Sequence, residues 1–378
     1  MKNNNTKTLL KNVCKISKGK GLKHEKVNIT EGQNCILCGD LFTQYDTVIK
    51  NVVHKTTYNE GVSSKKNTVL IPGDTTTNAW DIAKAVSLDE ENVLLGGSIN
   101  ILEFDEQCDN TFFAYYLSSK KRIDLAKLAI GSTVVHLHGK EIGNLEVSYP
   151  SKEMQVKIGS FFKELDELIE LHQQQVILHT NKFRWLLNEM FSKEDKVPIK
   201  NLCEGAFSGS TPKSTNKEYY ENGTVPFFSI SDIEGKYLYH TDKSITSLAV
   251  QECKMKIASD ETLICTMYAS PGIPFITKIP VALPQSVLAF LPKSVYNIDY
   301  LYYSLLYSSK QLQRMSGTGT QANLSKQTIM DFSIPIDASS QEKVVKILNS
   351  ACELIEMELR LAENLYKAKK YYLNKIFN

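Results

Sequence analysis

Gln321 and Asn323 stand two residues apart in "GTGTQANL", and each side chain can donate and accept at once toward an adenine edge. Residues able to break bonds are harder to find. Cys35-x-x-Cys38 is the only close cysteine pair, and a zinc site needs a second pair or histidines at ligand spacing. The pair therefore reads either as a metal or redox motif or as two cysteines of a strand. His172 and His179, seven apart, could form a metal pair or a pH switch, or could fix the register of a helix pair. No G-x-x-x-x-G-K-[ST] loop occurs, and "SKGKGLK" lacks its spacing. H-E-x-x-H and G-x-S-x-G are absent, and without any Pro-Pro there is no adenine-methyltransferase Asn-Pro-Pro-Tyr element. These absences point away from catalysis and toward binding, with no cofactor expected.

The elements that must position these residues belong to a chain of 378 residues, 42% apolar and 23% charged, enough for two ordinary domains. No run of about 18 apolar residues offers a membrane span, and "MKNNNTKTLLKN" lacks a signal-peptide core, so the expected location is the cytoplasm with no membrane partner. The eight scattered cysteines fit free thiols in a reducing compartment. A net charge of +2 is low for a protein that grips DNA alone, so any such role needs partners that supply positive charge.

The chain repeats itself. "LLNEMF" (186–191) and "YLNKIF" (372–377) are 186 residues apart. Further matches follow in the same order: "LLKNVCKISKGKGLK" (9–23) with "PIKNLCEGAFSGSTPK" (198–213), "IPGDTT" (71–76) with "ASDETL" (258–263), "LLGGSINILEF" (94–104) with "ALPQSVLAFLP" (282–292), "IGSTVVHL" (130–137) with "SGTGTQANL" (316–324), and the stretches opening near Gln155 and Gln341. Ordered repetition of this kind indicates tandem duplication. Each half begins with a part rich in short apolar runs and turn residues. There "VPFFSISDI", "ETLICTMY" and "SVLAFLP" read as strands, and 110–129 and 299–315 as helices. Each half then ends in one long helix. Phe162, Ile169, Val176, Phe183 and Met190 recur every seven residues, interleaved with Ile158, Leu165, His172, His179 and Leu186. In the second half Leu348, Ile355, Ala362, Lys369 and Ile376 recur likewise, interleaved with Val345, Cys352, Leu359, Tyr366 and Leu373. Two such seams bury themselves against each other. The expected fold is α+β: a tandem duplication of a mixed α/β domain plus a long spacer helix. The two helices, each roughly 50 Å long, would pack as an antiparallel coiled coil in a pseudo-two-fold dumbbell. The expected boundaries are 1–150, 151–195, 196–338 and 339–378.

This layout resembles the DNA-specificity (S) subunit of type I restriction-modification systems, over essentially the whole chain. The resemblance rests on "CILCGDLFTQYD" (35–46), "GSTPKSTNKEYYENGTVPFFSISDI" (209–233), "GTGTQANLSKQTIMDFSIPI" (317–336) and the doubled helix ending. The family's Pro-rich entrance to each long helix is degraded here, to "YPSKEMQVKI" and "IDASSQEKVVKI". The resemblance implies two target-recognition domains, each reading half of a bipartite asymmetric site in double-stranded DNA. It also implies two modification (methyltransferase) subunits docked on the spacer helices. Restriction subunits, ATP-dependent translocase/nucleases, would join the full complex. The alternative is a non-catalytic coiled-coil adaptor that binds only protein.

Under the first reading the candidate contacts to DNA fall in loops. Lys18, Lys20 and Lys23 offer charge to phosphate, or form a solvated run. Thr43 and Tyr45 follow the Gly39-Asp40 turn, and Thr75, Thr77, Asn78 and Trp80 share "GDTTTNAW". The second domain offers Ser210, Thr211 and Lys213, then Ser229, Ser231 and Asp232, then Thr266, Tyr268 and Ser270, with Gln321 and Asn323.

Overall fold

The computed structural model describes residues 5–268, 270–316 and 323–377. They form two compact units: one takes in the chain up to Gln174 together with Glu358 onward, and the other is Gln175–Met357.

In the first unit the fully buried strand Thr68–Pro72 and the strand Ile99–Phe104 lie at the centre of an antiparallel sheet, flanked by Cys14–Lys18 and Val86–Leu88. Their burial on both faces is what runs such as "TVLIP" and "INIL" require. A second sheet orders His54–Thr56, Gln33–Ile36, Leu94–Leu95 and Val62–Ser63, its central pair parallel. A two-strand ladder of Thr6–Leu9 with Glu146–Tyr149 closes the neck of the domain.

The second unit repeats this plan. Cys203–Phe207, Val287–Pro292, Leu263–Thr266 and Pro274–Thr277 reproduce the first sheet, with Tyr237–Leu238 added at its edge. Lys243–Ile245, Val225–Phe227, Val281–Ala282 and Ile257–Ala258 reproduce the second, again with the central pair parallel. Lys196–Pro198 pairs with Ser333–Pro335 at the neck. Strand topology thus establishes the duplication at the level of backbone pairing. It corrects one alignment: "IPGDTT" matches Cys265–Ser270, because the strand before it is equivalent to Leu263–Thr266 and not to Ile257–Ala258. Short apolar runs match at more than one register, and only ladder partners choose among them.

Each unit also receives a long helix by the same device. Gln155, fully buried, accepts from the Asp109 N–H at 2.9 Å and donates to the Pro150 carbonyl at 2.9 Å. Gln341, also buried, accepts from the Asn297 N–H at 2.8 Å and donates to the Val295 and Ala338 carbonyls. Asp109 and Asn297 in turn cap the helices Asn110–Ser118 and Ile298–Arg314. The expected single helix over 110–129 is two helices, Asn110–Ser118 and Arg122–Lys127. Ser118 turns aside to bond both backbone groups of Ala85, and Ser119 bonds the Tyr115 carbonyl, so the ladder is interrupted.

The long helices run Lys152–Phe191 and Gln341–Phe377. Within the first unit they are antiparallel: Phe161 packs on Tyr372, Phe162 on Phe377, Asp166 pairs with Lys369 and His172 with Glu358. Phe162 and Ile169 are buried, and Val176, Phe183 and Met190 half-buried, as the seam requires. On the second helix Leu348 is buried and Ile355 and Leu373 half-buried. Leu359 and Tyr366, however, are 52% and 62% exposed, and Ile376 is 40% exposed. Glu358, Leu365 and Phe377 occupy the inward positions instead. The register slips because a charged residue, Glu358, sits in the seam opposite His172, 2.5 Å away, and its neighbour Leu359 looks the better seam residue. His172 and Glu358 are equivalent positions of the repeat, so His172 meets the counterpart of its own position across the seam. Among the described residues no three His, Cys, Asp or Glu side chains come together as a metal set. Cys35 lies in the strand Gln33–Ile36, and Cys38 lies just beyond it.

Candidate nucleic-acid interface

Glycine shapes the start of each interface. A Cβ on Gly19 would lie 2.0 Å from the Gly96 carbonyl oxygen, and one on Gly209 would lie 1.6 Å from that of Leu283. Only glycine lets the chain pass this close to the neighbouring strand. Beyond it Lys20 and Lys23 in the first unit, and Thr211 and Lys213 in the second, emerge into solvent.

In the first unit the loop after Thr68–Pro72 turns into the short strand Asp74–Thr75, which pairs with Val135–His136. The Thr75 and Thr77 hydroxyls are 2.9 Å apart, and Asn78 caps the following turn by accepting from the Trp80 and Asp81 N–H groups. Trp80 is 50% exposed. The Arg122 guanidinium lies 4.2 Å from its ring and donates to its carbonyl at 3.1 Å. Asp74 holds His136 Nδ1 at 2.6 Å. Burial pushes the Asp74 carboxyl up, but hydrogen bonds from Ser98 and His136 and the charge of Lys18 outweigh it, so it ionises below the usual aspartate value of 3.8. The His138 ring lies parallel to that of His136, 6.1 Å away. Beside them opens a cleft of about 670 Å³ lined by Lys11, Lys15, Lys18, His138 and Lys140, with no carboxylate in its wall.

The second unit has the equivalent ladder in shorter form, a single bridge between Tyr268 and Asn323, with Asn323 and Ser270 exposed. A cleft of about 640 Å³ is lined by Thr211, Tyr220, Ser229, Lys243 and Ser286. Ser231 is exposed near it in sequence. Gln321 lies outside the described residues.

Four expected contacts are turned inward. Tyr45 is 7% exposed, and its hydroxyl accepts from the Val53 N–H within the core. Thr266 is fully buried, donating to the Ser270 carbonyl and accepting from the Ile273 N–H. Asp232 is buried and accepts from the Ser229 N–H at 2.7 Å, and Ser210 donates to the Cys253 carbonyl at 2.7 Å. Thr266 and Asp232 are consumed by local turns, and Tyr45 and Ser210 by backbone groups brought to them by the fold. Thr43 stays exposed at the end of the helix Asp40–Thr43, its hydroxyl on the Gly39 carbonyl.

Comparison with known proteins gives the family. The model of the type I restriction modification DNA specificity domain matches residues 2–178 and again 192–365. The chain belongs to that family. Among its relatives, the type I restriction enzyme MjaIX specificity subunit of Methanocaldococcus jannaschii is 31% identical over 49% of this chain and 46% of the relative. The EcoR124I/EcoR124II specificity subunit of Escherichia coli is 23% identical over 53% of each. The chain therefore aligns with about half the length of these curated relatives. The fold of the type I restriction-modification S subunit from M. genitalium covers 100% of this chain and 97% of that one, with a TM-score of 0.68 at 16% identity.

As a member of the specificity family the chain has features that its sequence did not disclose. His136, Asp74, His138 and Lys140 join the candidate interface; the Asp74–His136 contact spans 62 residues, and no local pattern announces it. The long helices carry a second apolar stripe facing solvent. Leu168, Leu171, Leu178 and Trp185 are exposed on the first, and Leu354, Met357, Leu361 and Tyr371 on the second. Three of these positions, 168/354, 171/357 and 185/371, are equivalent at the offset of 186. Steps of three and seven along the first helix, and of three and four between Leu354, Met357 and Leu361 on the second, are the signal by which they could have been found.

Proposed function

We propose that this chain is the sequence-specific DNA-recognition subunit of a type I restriction-modification complex. Residues 1–150 and 196–338 each read one half of a bipartite asymmetric site, and the helices of 151–195 and 339–378 dock methyltransferase subunits. It performs no chemistry of its own. The observation that carries this reading is one scaffold built twice with different side chains on its loops: a matched pair of holders for two unlike half-sites. Polar, aromatic and basic groups gather there as base edges and phosphates require.

The exposed stripes support the docking role. Apolar residues that recur on one face of a helix, at spacings such as three and seven, are anchors for another helix, and the three positions shared by both long helices offer a similar surface twice. Two methyltransferase subunits per chain are therefore expected, with restriction subunits, ATP-dependent translocase/nucleases, added in the full complex and the location being wherever the DNA is, the cytoplasm.

Co-expression of the full chain with a type I methyltransferase subunit tests both parts. Native mass spectrometry should give two methyltransferase subunits per chain, and the complex should select a two-part motif from a random duplex pool. A complex that saturates at one to one overturns the symmetric docking. Assembly without any sequence selection supports a protein-only adaptor instead.

A further inference from the structure

We propose that the residues distinguishing the two half-sites are His136, oriented by Asp74, in the first domain, and Asn323 in the second. This rests on the DNA-recognition reading above and assigns base readout within it.

The two positions are the same place in the fold. In the first unit Asp74–Thr75 pairs with Val135–His136, and the Leu137 N–H donates to the Gly73 carbonyl at 2.9 Å. In the second, Tyr268 bridges Asn323, and the Leu324 N–H donates to the Met267 carbonyl at 2.8 Å. Leu137 and Leu324 are both buried. The backbone and the inward residue are therefore held alike, and the preceding side chain is free to differ: imidazole in one copy, amide in the other.

Each of these side chains has hydrogen-bonding atoms to present. The His136 side chain is 42% exposed, and Asp74 fixes its Nδ1, which leaves Nε2 as the atom available to a ligand. A carboxylate that locks one ring nitrogen also locks the ring plane, the precision that a base edge demands and a phosphate does not. The backbone-gripping charge lies next door, in the lysine-lined cleft whose His138 ring lies parallel to that of His136. Thr75 and Thr77 share the same loop. The second copy has Tyr268 where the first has the Asp74–Thr75 strand, so Asn323 works without a carboxylate; its amide can both donate and accept, as adenine requires. In the first half-site Nε2 faces a single donor or acceptor of a base.

The test uses the full chain assembled with its methyltransferase subunits and a random duplex pool at fixed salt. His136→Ala should lower discrimination at one or two base pairs of one half-site by roughly ten-fold or more, leaving the other half-site as it was. Asp74→Asn should weaken the same base pairs by less. Asn323→Ala should act on the opposite half-site alone. His136→Gln, which retains a polar side chain of similar reach, should change the preferred base and not merely blur it. A uniform loss of affinity across all sequences on His136→Ala would make His136 a phosphate contact and overturn the proposal. So would unchanged preference at both half-sites with affinity retained. If the unsubstituted complex selects no sequence, the DNA-recognition reading fails first, which is a distinct result.

Discussion

The two units share a skeleton and differ in what fills one corner of it. In the first, the buried Tyr115 donates to Asp166 at 2.6 Å, Lys369 pairs with the same carboxylate, and a cavity of about 470 Å³ opens beside them. In the second, the equivalent Tyr303 donates to Asn349 at 2.6 Å, and the place is filled by Lys236, buried among Tyr237, Tyr302 and Tyr303. Lys236 Nζ lies 2.6 Å from both Asp299 and Asn349. One domain thus closes this corner with a lysine from its own sheet region, and the other with a lysine from the long helix. What the copies keep, namely the neck ladders, the glycines at 19 and 209 and the glutamines at 155 and 341, is what holds the domain to its helix. What they change is what neighbours can compensate.

The widest gap between the copies should appear on removing these lysines. Lys236→Ala should cost about 3–5 kcal/mol in denaturant unfolding, since it removes the nearly buried cation and leaves the Asp299 carboxylate with the Tyr237 hydroxyl but no counter-charge. Lys369→Ala should cost about 1–2 kcal/mol less, because Lys369 is itself less deeply buried than Lys236, 13% exposed against 7%, and borders a cavity that water can enter. The pH dependence sharpens the contrast. Burial pulls the Lys236 pKa below the usual 10.5, against the pull of Asp299. Below both values the folded and unfolded chains hold the proton equally and the burial cost is fully present. Between the depressed value and 10.5 the unfolded chain holds more protons, so stability rises with pH there. The difference between the native chain and Lys236→Met should therefore shift in favour of the native chain as pH climbs toward 10.5. A flat difference would mean that Lys236 is not perturbed by burial.

The glutamines should behave alike where the lysines do not. Gln155→Ala and Gln341→Ala each leave a buried backbone donor and carbonyl unpartnered, and each should cost about 2–3 kcal/mol. Thermal melts that separate the two variants widely would break the equivalence of the copies. Trp80 has no counterpart in the second domain's ladder. In a Trp185→Phe background it is the only tryptophan left, so its fluorescence should change when DNA is added to the assembled complex. Trp80→Ala should weaken DNA binding by roughly ten-fold, at the low end of a stacking contact. The smallest effect is expected in salt dependence. Lys140→Ala should lower the slope of log affinity against log salt by about one, whereas Gln327→Ala, at the equivalent position, should leave it unchanged.

Long-range apolar order was legible in the sequence, and polar pairing was not. The seam from Phe162 to Met190 and the strands at 99–104 and 287–292 follow from periodicity, which burial enforces directly. Glu358 was hidden because its place in the seam depends on His172, 186 residues away. Tyr45 and Thr266 looked like ligands because a hydroxyl in a string of letters has no partner, whereas in the fold the Val53 N–H and the Ser270 carbonyl claim theirs. His136 went unnoticed for the opposite reason. A histidine between Val135 and Leu137 reads as a strand residue until Asp74 is seen beside it.

The neck ladder has a consequence for the order in which the chain can be written. Phe377 packs on Phe112, Tyr116 and Phe162, against the domain whose strand Thr6–Leu9 pairs with Glu146–Tyr149. In the second unit Phe191 packs on Tyr300 and Tyr307, and residues 192–195 lead from there straight into the strand Lys196–Pro198, which pairs with Ser333–Pro335. The same step that the chain takes through 192–195 could be taken from Phe377 to Thr6 by a linker of similar length. A gene rejoined there and opened at 192–195 would encode the second domain before the first, with every ladder, latch and seam of both units intact. Such a circular permutant should fold and recognise the same DNA, because nothing in the architecture registers which half is translated first.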